Sequence, residues 1–295
     1  MSETGNQIWG VGVELSEDHL GALRFAGHLA GPDDALVGVH VMPESTRLHP
    51  LLSQEQTAAM SEQVASDVAL LLERAGASGR VEVRVIEDDH PELGLVETAV
   101  REHFTALIVG RRARRDEDPL IRLGEISRRV LRKLPVPVIV VPPDFGSEPD
   151  EPALDSGPVV LATNLDEHCV AAAEFAKRLA ARLDRPILVA HGTEAFNWGV
   201  SYIPAETFEV MLDQARARAG AKLHAWVKAQ GLEGAQEHVF LGDPARNLAH
   251  LVEERKAAVL VTGSRKLGPI ERVFLASVSS ELAGSTRCPT AVVPG

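Results

Sequence analysis

The chain repeats itself. Shifted by 150 residues, Ala22, Phe25, Ala26, Leu29 and Ala30 fall on Ala172, Phe175, Ala176, Leu179 and Ala180, identical residues at helical spacing. Further on, His40 falls on His191 at an offset of 151, and Gly110 on Gly263 at 153. Near the end of each copy, Leu123, Ser127, Pro137, Val140, Val141 and Pro142 fall on Leu275, Ser279, Pro289, Val292, Val293 and Pro294 at 152. An offset that drifts by a few residues is what small loop insertions leave between two duplicated domains. Whatever the fold is, it must close within about half of the 295 residues.

Each copy alternates short aliphatic runs with longer amphipathic stretches, the pattern of a parallel sheet covered by helices. The first copy predicts strands at Ile8 to Val13, Ala35 to Val41, Val81 to Ile86, Ala106 to Val109 and Val138 to Val141. The second predicts them at Pro158 to Thr163, Ile187 to His191, Glu237 to Leu241, Val259 to Thr262 and Thr290 to Val293. Helices fill the gaps, giving five strands and four helices twice. Pro143, Gly146, Pro149, Pro152 and Gly157, set among acidic residues, mark a linker over 144–157, between domains spanning 1–143 and 158–295. Each copy ends in its most β-prone segment, and a long aliphatic strand left at a sheet edge invites aggregation. The expectation is that the two terminal strands cover each other, making the chain an intramolecular pseudo-dimer.

With 42 acidic against 30 basic side chains the net charge is −12, which opposes binding to a nucleic-acid backbone. No apolar run reaches the roughly 20 residues of a membrane span, and MSETGNQIWG has neither the basic nor the apolar part of a secretory signal, so a cytoplasmic protein without membrane contact is expected. Two cysteines, Cys169 and Cys288, exclude a disulfide framework or a cysteine-based zinc site. The phosphate loop, the dinucleotide fingerprint, the hydrolase elbow and the zinc-protease helix motif are all missing.

In open parallel sheets ligands bind beyond the carboxyl ends of the strands, where the winding reverses. The residues after strands one and four of each copy are therefore the candidates. In the second copy strand four runs into Gly263-Ser-Arg-Lys-Leu-Gly268, and a helix starts near Ala276-Ser277-Val278-Ser279. A glycine lets backbone approach a ligand, and amides with a hydroxyl at a helix start favour phosphate.

On these residues, on GVELSED and LATNLDE, on LGDPARNL, and on LGEISRRVLRKLPVPVIVVPP and LASVSSELAGSTRCPTAVVP, the chain resembles the universal stress protein family in its tandem form. The resemblance covers nearly the whole chain. It implies an α/β fold of two doubly wound five-stranded parallel-sheet domains, Rossmann-like in the manner of the adenine nucleotide alpha hydrolases, and a stress-response or regulatory role. ATP-binding members carry a glycine, two residues, a second glycine, nine residues, then Gly followed by Ser or Thr. The second copy keeps the spacing with Gly263 and Ser277, but Lys266 replaces the second glycine and Ala276 the third. Gly242 and Pro244 fall in the family's segment after strand three, and Asn164 stands where a strand-one aspartate meets adenosine, keeping an acceptor without the charge. The implied cofactor is ATP or another adenine nucleotide, held in the second domain by Asn164, Gly242, Gly263, Lys266 and Ser277. The first copy departs further: Ala113 replaces the second glycine, Glu125 the Ser or Thr, and Glu14 the aspartate. A carboxylate at that helix start would occupy and repel the phosphate position, so no triphosphate is expected there.

Plainer readings stand beside these. Glycines after a strand serve as turn residues, and a Ser before a helix serves as an N-cap. His40 and His191 read as rim or core residues rather than catalysts. The run Arg111-Arg112-Ala113-Arg114-Arg115 has its counter-charge in Asp116-Glu117-Asp118 and reads as a solvated loop. Cys169, at a helix start, is either a redox thiol of depressed pKa or a small packing residue. Leu71, Leu72, Met211, Leu212, Leu223, Trp226 and Val227 read as core or as a lid. The reading is binding rather than turnover, with no metal and no catalytic residue assigned. A ligand-free protein-interaction module, a slow nucleotide hydrolase using Lys266, and further homo-oligomerisation remain as alternatives.

Overall fold

In both copies the aliphatic runs become strands and the amphipathic stretches become helices. The computed structural model describes residues 6–15, 20–47, 53–77, 79–111, 123–147, 156–193, 203–264 and 278–295, and the chain divides into two units, Met1–Leu154 and Asp155–Gly295.

The first unit runs β1 (Ile8–Gly12), α1 (Leu20–Leu29), β2 (Ala35–Met42), α2 (Glu44–Arg47), α3 (Gln54–Arg74), β3 (Arg80–Glu87), α4 (Pro91–Arg101), β4 (Ala106–Gly110), α5 (Glu125–Lys133) and β5 (Val138–Val141). Every strand pair in it is parallel, in the order β3-β2-β1-β4-β5. The second runs β6 (Val159–Thr163), a 3-10 turn (Glu167–Cys169), α6 (Val170–Leu183), β7 (Ile187–Thr193), α7 (Ala205–Ala229), β8 (Gln236–Leu241), α8 (Pro244–Glu254), β9 (Val259–Ser264), α9 (Val278–Ser285) and β10 (Thr290–Pro294). Its order is β8-β7-β6-β9-β10, again all parallel. These are two doubly wound sheets of the expected class, each reversing direction between its first and fourth strands.

The residues that betrayed the duplication are core. Ala22, Phe25, Ala26 and Leu29 on α1, and Ala172, Phe175, Ala176 and Leu179 on α6, are buried within their own units. Each fully buried Phe or Leu contributes about 1.5–3 kcal/mol, and any change of volume there is felt, so the pattern survives while the surface drifts. On the long helices Leu72, Leu223 and Val227 are buried, whereas Leu71, Met211, Leu212 and Trp226 are half-buried.

Strand β7 runs to Thr193, two residues past its expected end. Its register with β8 continues through Gly192 opposite Phe240 and Thr193 opposite Leu241. A Cβ on Gly192 would lie 2.4 Å from the Phe240 ring, so the missing side chain lets that ring close over the strand.

Candidate functional site

Strand order puts the crevice of the second unit between β6 and β9, and the chain leaving each strand forms its walls. At the end of β6, Asn164 is exposed but its amide is already engaged. The Asn164 Oδ1 accepts from the Asp166 backbone amide at 3.3 Å and from the Cys169 thiol at 3.0 Å, while Nδ2 donates to Asp166 Oδ2 at 2.6 Å. Leu165 between them takes a left-handed φ of 69°, and its amide is held by Thr163 Oγ1 at 2.9 Å. Asp166 also accepts from the His168 amide at 3.0 Å, starting the 3-10 turn that leads into α6. The acceptor expected at Asn164 is therefore spent inside the loop, and a carboxylate that the sequence reading passed over, Asp166, stands beside it.

Gly263, on the opposite wall, packs under this loop. A Cβ there would lie 3.1 Å from the His168 carbonyl and 3.4 Å from Cys169 Sγ. Its carbonyl accepts from Ser279 Oγ at 3.1 Å, and Thr262 Oγ1 lies 3.1 Å from the same hydroxyl. The first unit repeats the tie, Ser127 Oγ donating to the Gly110 carbonyl at 2.8 Å. These serines stood out in the duplicated sequence without a role; they hold the start of the last helix of each unit against the end of the fourth strand. Gly242 has a φ of 95°, where a side chain would be strained, and donates to the Thr193 carbonyl at 3.0 Å. It leaves β8, two strands from β6 and so about 10 Å aside. The structure thus joins Asn164 and Gly263 at one crevice and sets Gly242 on the flank. Lys266 and Ser277, with Ala276, lie outside the described residues, as do Ala113 and most of the arginine-rich run.

The first unit fills the corresponding place with its own charges. Leu95 of α4 packs on β1 and β4, since a Cβ on Gly12 would lie 3.4 Å from it and 3.8 Å from Val109. One helical turn earlier, at the carboxyl ends of those strands, is Glu92, with a side chain only 9% exposed. Arg129 of α5 reaches Glu92 Oε1 at 3.1 Å and also grips Glu125, the first residue of α5. Burial pushes the Glu92 carboxyl up, but its own backbone amide and the Arg129 guanidinium outweigh it, so it lies below the ordinary carboxylate value. Arginine held between two carboxylates therefore takes up the helix start where the sequence reading put phosphate repulsion by Glu125 alone.

Two of the plainer readings hold. His40 Nδ1 lies 2.9 Å from the Val13 carbonyl and His191 Nδ1 2.9 Å from the Thr163 carbonyl, so both half-buried rings tie strand two to the end of strand one. Cys169 is buried, and that burial pushes its thiol up rather than down. The redox alternative is thereby corrected: apolar packing outweighs the helix start. Among the described residues no group of three or more His, Cys, Asp or Glu side chains is placed to hold a metal ion, and no helix is long and apolar enough to cross a membrane.

The universal stress protein family profile matches residues 7–142 and again 156–294. The chain belongs to this family, in tandem form. A Thermus aquaticus protein described as "Universal stress protein in QAH/OAS sulfhydrylase 3'region" is 27% identical over 135 residues, 46% of this chain and 96% of the relative. In fold, this universal stress protein is similar to one from Archaeoglobus fulgidus DSM 4304, with a TM-score of 0.67 and 19% identity over 97% of this chain and 98% of that one. A functionally unknown protein of Pseudomonas aeruginosa PAO1 is similar at a TM-score of 0.65 and 15% identity, over 98% and 92% of the two chains.

Proposed function

We propose that this universal stress protein is a cytoplasmic stress-response or regulatory protein that binds an adenine nucleotide in its second domain without turning it over. In this reading Gly263 and Ser277 contact the phosphates with Lys266 beside them, Asn164 and its loop face the adenosine end, and Gly242 lines the flank. The first domain, 1–143, is kept for its interface, and 144–157 is the linker to 158–295. The observation that supports it is the contrast between the copies at equivalent positions. Helices α4 and α8 both begin with proline, but the next residue is Glu92 in the first and Ala245 in the second. The residue at the last helix start is Glu125 in the first and Ser277 in the second. One crevice carries two carboxylates where the other carries a methyl and a hydroxyl, and a phosphate is compatible only with the second. The two aliphatic edge strands, β5 and β10, are the reason to keep the intramolecular pseudo-dimer as part of the proposal.

The test is titration of fluorescent ATP into the protein and into Ser277→Glu, which rebuilds the first domain's obstruction. Saturable binding that the variant loses supports the reading, and no saturation below millimolar overturns it. A second reading, a protein-interaction module with both crevices empty, is favoured by the internal clamp on Arg129; capture of a protein partner by a nucleotide-free chain would select it.

A further inference from the structure

Asn164 and Asp166 form a unit whose polarity is set by chemistry. The Asp166 backbone N–H can only donate and the Asp166 carboxylate can only accept, so the Asn164 amide has one orientation: oxygen towards the Asp166 amide and Cys169, nitrogen towards Asp166 Oδ2. With two donors on it, Oδ1 has both lone pairs taken. Nδ2 keeps one N–H beyond its contact to Asp166. The carboxylate has about four acceptor positions, of which the contacts to Asn164 and His168 use two. Asn164 is exposed and Asp166 half-exposed, at the end of the strand where the winding reverses. The loop therefore presents one donor beside one charged acceptor.

Resting on the adenine-nucleotide reading, we infer that Asp166 is the ligand-facing acceptor of the second domain and Asn164 its donor, so that the pair recognises a neutral edge carrying an acceptor next to an amine donor. The exocyclic amine of adenine beside its ring nitrogen is such an edge: the ring nitrogen takes the Asn164 N–H and the amine donates to Asp166. A single aspartate at position 164 could supply only the acceptor. Asp166 determines specificity through the amine, and Asn164 is held in place for it by Cys169 and the Asp166 backbone.

Asp166→Ser is the informative variant, because serine still caps the His168 amide while the carboxylate is removed. Binding of ATP and of purine riboside triphosphate, which lacks the amine, is measured by calorimetry with the full-length protein and the variant. The unmodified protein should prefer ATP by about tenfold, the value of one hydrogen bond to a charged group, and Asp166→Ser should bind the two alike. In parallel, hydrogen exchange of the Asn164 side-chain amide, read by NMR without nucleotide, should be slow in the unmodified protein and fast in the variant. A retained preference for ATP in Asp166→Ser overturns the assignment and leaves nucleotide binding standing. Equal amide exchange in the two proteins overturns the locked pair whether or not nucleotide binds. Failure of the unmodified protein to bind either triphosphate, with the amide still protected, removes the nucleotide reading and the ligand role of Asp166 with it.

Discussion

Replacing Arg129 by alanine should destabilise the first domain by stranding a carboxylate. Glu92 Oε1 loses its 3.1 Å partner, and Oε2 already has no hydrogen-bond partner among the described residues. Removing one member of a fully buried ion pair costs about 3–5 kcal/mol. The Arg129 side chain is 43% exposed, so water screens the pair from that side and the expected loss falls to about 1–2 kcal/mol. Adding Glu92→Leu should recover most of it, since the stranded charge disappears and an apolar side chain fills its place. The sign with pH follows from Glu92: its folded-state value lies below the ordinary 4.5, so the clamp stabilises above that value and is lost as pH falls through the depressed one. The gap between Arg129→Ala and the unmodified protein should therefore be fully present at pH 7 and shrink below pH 4.5. Urea unfolding followed by Trp9 fluorescence, in a Trp198→Phe/Trp226→Phe background, reads the first domain alone, because Trp9 is its only tryptophan and is 2% exposed. Stability of Arg129→Ala within about 0.5 kcal/mol of the parent at pH 7, or no recovery in the double variant, would refute the argument.

Other outcomes follow from the same geometry. Cys169 should react with a disulfide reagent at pH 8 far more slowly than a free thiol, because it is buried and its thiol is raised; rapid labelling of native protein would contradict this. Gly192→Ala should cost about 1–3 kcal/mol in the second domain by displacing Phe240, measured by urea unfolding. Ser127→Ala and Ser279→Ala should each lower stability by about 1 kcal/mol, with Ser279→Ala the milder, since Thr262 Oγ1 remains 3.3 Å from the Gly263 carbonyl; the opposite ranking would count against the tie.

The strands were legible because a parallel strand buried on both faces must be continuously aliphatic, and Val138 to Val141 cannot be read as anything else. The end of β7 was not, because its extension past His191 depends on Phe240, a residue from another strand closing over Gly192. Asn164 and Gly263 were legible as neighbours from the winding rule alone. That Asn164 spends its acceptor on Cys169 and Asp166, and that Arg129 closes the first crevice against Glu92 rather than Glu125 acting alone, depends on atoms 37 residues apart for the Arg129–Glu92 bond, meeting only in the fold.

Periodicity and self-similarity, read along the chain, determined that there are two copies, that each is a parallel sheet under helices, and where each winding reverses; burial on a repeating face is a local demand and leaves a local mark. Which polar group points at which partner was decided only in three dimensions. A hydrogen bond or ion pair requires two specific atoms within about 3 Å, and spacing along the sequence carries no such information.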